Sequence, residues 1–75
     1  MIQEGEHIMK TIEELEKAVL AYVERHNLGP KKASSRYPDE LYFSYTTMNW
    51  TVLEAKIKNG RTTFKVDGKV TSIYK

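Results

Sequence analysis

The side chains best suited to chemistry are two carboxylates and a lysine: Asp39, Glu54 and Lys56. Carboxylate oxygens are the ligands that hard divalent cations take. The other candidates are thinner. His26 falls on the apolar arc of the first element, where an acid–base role beside Tyr37 or Asp39 competes with simple packing of a half-buried ring at a helix end. His7 stands in the polar opening segment. Ser34-Ser35 lack a glycine-rich elbow, and Lys31-Lys32 lack a preceding phosphate loop. The chain has no cysteine, which rules out thiol chemistry, disulfides and thiolate metal sites.

Pro38-Asp39 followed by Glu54-Ala55-Lys56 resembles the PD-(D/E)xK nuclease signature, over those few residues only. The resemblance implies that Asp39 and Glu54 hold Mg²⁺, that Lys56 orients or activates water, and that Glu13, Glu14 or Glu16 of the first helix is a further acid. The elements that would have to position these groups argue against it. That family's core needs a strand before the aspartate and a helix after the lysine, and neither is legible here. The strand register argued below sets Ser44 opposite Glu54. Asp39 then lies about five residues further along, or roughly 15 Å at strand rise, whereas Mg²⁺ ligands sit near about 2.1 Å. The expectation is a non-enzymatic chain with no catalytic residues, no metal and no cofactor.

With 75 residues there is room for one domain. At this size only roughly 60% of the unfolded surface can be buried, so a partner subunit covering more apolar area is a natural supplement. No apolar run approaches the roughly 20 residues of a membrane span, and the opening segment carries Glu4 and Glu6, unlike a signal peptide. A reducing, cytoplasmic setting fits. The net charge of +2 conceals an asymmetry. Acids predominate through Leu28, and bases predominate after Gly29, giving an acidic helix and a basic sheet.

Residues 1–10 read as a flexible leader and 11–75 as a single α+β domain. Thr11-Ile12-Glu13-Glu14 is a capping box, and Ile12, Leu15, Val19, Tyr22, Val23 and His26 recur at helical spacing. Glu13 and Lys17 are placed for an i,i+4 pair. Gly29 suits a left-handed cap, and Pro30 cannot continue the helix. Residues 31–40 read as a surface connection. The spacing then drops to two, and strands are expected at about 41–47, 51–58, 61–66 and 69–74. Asn59-Gly60 and Asp67-Gly68 mark hairpins.

A two-residue turn at Asn59-Gly60 pairs Ile57 with Thr62, Ala55 with Phe64 and Leu53 with Val66, leaving their apolar members on one face. An odd loop, Met48-Asn49-Trp50, extends that face by pairing Thr47 with Thr51 and Phe43 with Ala55. The expected fold is one N-terminal helix on one face of a four-stranded (at least three-stranded) antiparallel meander, order 1-2-3-4. The last strand is undecided between Val70, Ser72 and Tyr74 on the open face and Thr71 and Ile73 there.

A single helix covers one face only. The other carries Tyr42, Lys56, Lys58, Arg61 and Lys65, with Trp50 at a loop tip. Trp50 is either an interface anchor or folds back over the open end of the core. With the 48–50 loop, this face is expected to bind a protein partner or a second copy of the chain. Nucleic acid is the alternative, with the sheet lysines and a secondary basic loop of Lys31, Lys32 and Arg36 on phosphate and Tyr42 stacking on bases.

Overall fold

The computed structural model describes residues 9–75. His7 and the first eight positions of the expected leader lie outside the described residues. Met9, counted with that leader, is buried in the core.

Helix α1 spans Ile12–Arg25. The Thr11 hydroxyl accepts from the Glu14 amide at 3.1 Å, and the Glu14 carboxylate accepts from the Thr11 amide at 3.1 Å. This reciprocal box satisfies donors that no helical turn can reach. Ile12, Leu15, Val19 and Val23 form the buried stripe. At the other end the expected cap moves. Asn27, at φ 52°, is the left-handed residue. Its N–H donates to Glu24 O, and the Leu28 N–H reaches back to Val23 O at 3.0 Å. That is a Schellman cap, completed by packing of Leu28 against the core. Gly29, at φ 97°, turns the chain after the helix has ended.

Five strands follow in meander order: β1 Lys31–Tyr37, β2 Tyr42–Thr47, β3 Val52–Lys58, β4 Arg61–Val66 and β5 Lys69–Val70. The α+β meander stands, with one strand more than expected. Residues 31–40 are not a loop but β1 and a short 3₁₀ turn, Pro38–Glu40. The strand left no hydrophobic alternation because all seven of its residues are exposed, and periodicity reports a buried face. The final strand stops at Val70, since the chain then turns inward to bury Ile73.

The expected register holds. Phe43 pairs with Ala55, Ser44 with Glu54, Leu53 with Val66, Ala55 with Phe64 and Ile57 with Thr62. Thr47 N donates to Thr51 O at 3.0 Å across the odd loop. Phe43, Tyr45, Leu53, Ala55, Ile57 and Phe64 are therefore buried together, under α1 and beside Met9 and Ile73. Each large apolar side chain taken fully from water contributes about 1.5–3 kcal/mol. Among the described residues no helix is long and apolar enough to cross a membrane.

Candidate functional site

Register alone builds the open face. One row across the strands runs Tyr37, Tyr42, Lys56, Thr63. The next runs Ser35, Ser44, Glu54, Lys65, Val70. A third holds Ala33, Thr46 and Val52. Lys58 and Arg61 close the Asn59-Gly60 end. Val70, at 71% exposure, stands beside Lys65 on the open side and Ile73 belongs to the core, but Tyr74, expected with Val70, lies on the helix side near Glu14, Lys17 and Ala18.

Two clusters emerge, at different places on this surface. The first is a shallow depression of about 220 Å³ lined by Tyr42, Glu54, Lys56, Lys58, Thr63 and Lys65. Tyr42 and Glu54 are diagonal cross-strand neighbours, close enough for long side chains to meet. The Tyr42 hydroxyl donates to Glu54 Oε2 at 2.8 Å, and the Tyr37 ring stands edge-on to Tyr42 at 5.7 Å. Burial, then the carboxylate's hydrogen bond and charge, push the Tyr42 phenol up to about 12. The register itself held the signal for this pair, since Ser44 opposite Glu54 places Tyr42 one diagonal step away.

The second cluster is the loop after β2. The buried Thr47 hydroxyl accepts from the Asn49 and Thr51 amides at 3.2 and 3.1 Å. Trp50 N donates to Thr47 O at 2.9 Å, and Trp50 takes φ 67°. This is a three-residue hairpin loop ending in a left-handed residue, a position glycine fills most easily. Trp50 does not fold back over the core; it is 67% exposed. The Lys32 ammonium lies over its ring, 4.6 Å from the centroid.

Trp50 sits at one end of β3 and Lys58 with Arg61 at the other, separated by the strand's length, roughly 20 Å or more. The expected binding residues share a face without forming one pocket. None of Lys56, Lys58, Arg61 and Lys65 has a carboxylate within salt-bridge distance among the described residues.

The secondary basic loop requires correction. Lys32 is the extra residue of a bulge between Lys31 and Ala33 in β1, and it is committed to Trp50. Arg36 is not a free cation. It lies on the helix side of β1, paired with Glu13 at 2.7 Å and Glu16 at 3.6 Å. Glu13 thus faces Arg36 where a pair with Lys17 was expected. His26 is exposed rather than half-buried, stacked on Tyr22 at 4.1 Å.

Comparison with protein-family models, curated proteins and solved structures finds no match.

Asp39 lies in the 3₁₀ turn before β2, while Glu54 faces Ser44 in mid-strand. Among the described residues no three His, Asp or Glu side chains are grouped to hold a metal ion.

Proposed function

We propose that this chain is a non-catalytic binding module that engages a protein partner through its open sheet face and the Trp50 loop. The observation that carries the reading is Trp50, held in water by a loop whose backbone amides all have acceptors. A large indole occupies a left-handed position that glycine would take at lower cost, with a lysine laid across it. Backbone strain costs folding stability, and an exposed aromatic held at that cost is accounted for by a docking role. The contact residues extend from Trp50 past Tyr42 to Lys58, a span suited to a macromolecule.

The test is affinity capture with wild-type protein, Trp50→Ala and the double variant Lys56→Glu/Lys65→Glu. A partner retained by wild type should be lost, or weakened at least about tenfold, by both variants and kept by the helix-surface control Lys17→Ala. Retention undiminished by Trp50→Ala and by the double variant would exclude this face.

A second reading, nucleic-acid binding, rests on four cations with no carboxylate partner among the described residues and on the Tyr37–Tyr42 pair. Glu54 weighs against it, since its carboxylate sits among those lysines and already holds the Tyr42 hydroxyl. Fluorescence anisotropy with single- and double-stranded DNA and RNA at about 50 mM salt decides. Binding with a steep negative dependence on log salt would establish it, and flat titrations would end it.

A further inference from the structure

Strand β1 has one neighbour. Thr47 N donates to Thr51 O and Ile57 N to Leu41 O, so residues 41 and 47 form hydrogen-bonded pairs with β3's strand. Hydrogen-bonded and open pairs alternate in an antiparallel ladder. The odd-numbered residues of β2 therefore turn their backbone groups to β3, and Tyr42, Ser44 and Thr46 turn theirs to β1. Their partners Tyr37, Ser35 and Ala33 answer inward. Ser34 and Arg36 then point their N–H and C=O groups away from the sheet. No backbone hydrogen bond joins that outer edge to another described residue.

We propose that a second copy of this chain pairs with the free edge of β1, antiparallel about a two-fold axis at Ser35, joining two sheets into one. The register is selected by the residues themselves. Centring on Ser34 would set Lys32 opposite Arg36 twice. Centring on Arg36 would oppose two guanidinium groups and bring Pro38, which has no N–H, against Ser34. A shift by one residue would set outward groups against inward ones and reverse the faces.

Centring on Ser35 opposes no like charges, and Pro38 falls opposite Lys32, where the register shift of β1 already interrupts the regular ladder. Ser34 of each copy lies opposite Arg36 of the other, and both residues present free backbone groups. Tyr37 lies over Ala33, a large ring against a small side chain. Lys31 of each copy comes to the Pro38–Glu40 turn of the other, with its Asp39 and Glu40. The strand is basic where it begins and acidic just past its end, which makes it self-complementary in an antiparallel pair. The open faces of the two copies become one surface. This inference does not depend on what Trp50 contacts.

Sedimentation from about 10 μM to about 1 mM, a range that captures micromolar association, should show a reversible monomer–dimer equilibrium. Ser34→Pro removes only an outward N–H, a change an edge strand accommodates, and should abolish the dimer with the circular dichroism of the fold intact. Ser35→Cys should form an intermolecular disulfide under mild oxidation, since open antiparallel pairs bring Cα atoms within about 4.5 Å. Lys58→Cys should not. Lys31→Glu should weaken association roughly fivefold to tenfold, and Lys31→Glu/Asp39→Lys should restore it. A monomer throughout the range, a dimer unaffected by Ser34→Pro, or crosslinking no faster at Ser35→Cys than at Lys58→Cys would overturn the proposal.

Discussion

Thr47 and Trp50 divide the work of one loop. Thr47 is fully buried, and its hydroxyl serves two amides that nothing else reaches. Thr47→Val keeps the shape and strands both donors, so a loss of about 1–3 kcal/mol in denaturant unfolding is expected. Trp50→Gly should instead leave stability within about 1 kcal/mol, because relief of the left-handed strain offsets the lost contact with Lys32. A core tryptophan would cost about 3–5 kcal/mol. Tyr42 makes a pH prediction. Burial and Glu54 raise its phenol from 10.0, the unfolded value, to about 12 in the fold. The folded state therefore holds the proton more tightly, and its contribution to stability is full below pH 10.0 and declines as pH rises toward about 12. Tyr42→Phe should flatten the stability profile in that window. An unchanged slope would remove the Tyr42–Glu54 bond from the account.

At the scale of elements, what was legible and what was not follow one rule. Helix α1 and strands β2 to β4 each bury a face, so their periods are written in apolar residues, and turn chemistry at Asn59-Gly60 fixed the register. β1 buries nothing, so no pattern announces it; it exists because β2 offers an unpaired edge and Arg36 reaches Glu13 and Glu16. The open face was legible as the complement of the buried one. The Lys32–Trp50 and Arg36–Glu13 contacts were not, because both depend on a strand that left no trace in the pattern. The helix cap misled for a related reason: Gly29 and Asn27 both tolerate positive φ, and only the carbonyls of Val23 and Glu24 select between them. Asn27→Ala should cost about 1 kcal/mol and Asn27→Gly almost nothing, read from thermal melts. Arg36→Ala should cost no more than about 1 kcal/mol, since the Arg36 and Glu13 side chains are 44% and 72% exposed, and that small loss should vanish in high salt.

The whole molecule is a two-layer body with acids concentrated on the helix and bases on the sheet, bridged where Arg36 crosses between them. Its core draws on Met9 before the helix and Ile73 after the last strand, the latter fastened by Arg25 Nη2 on the Ile73 carbonyl at 2.8 Å. A strand that contributes no apolar side chain to that core has a kinetic corollary. The expected order is that helix and central hairpins bury their shared surface at the folding barrier and β1 adds its ladder afterwards. Ala33→Gly should accordingly leave the refolding limb of a chevron in place and steepen none of it, while unfolding accelerates by the whole of the lost stability.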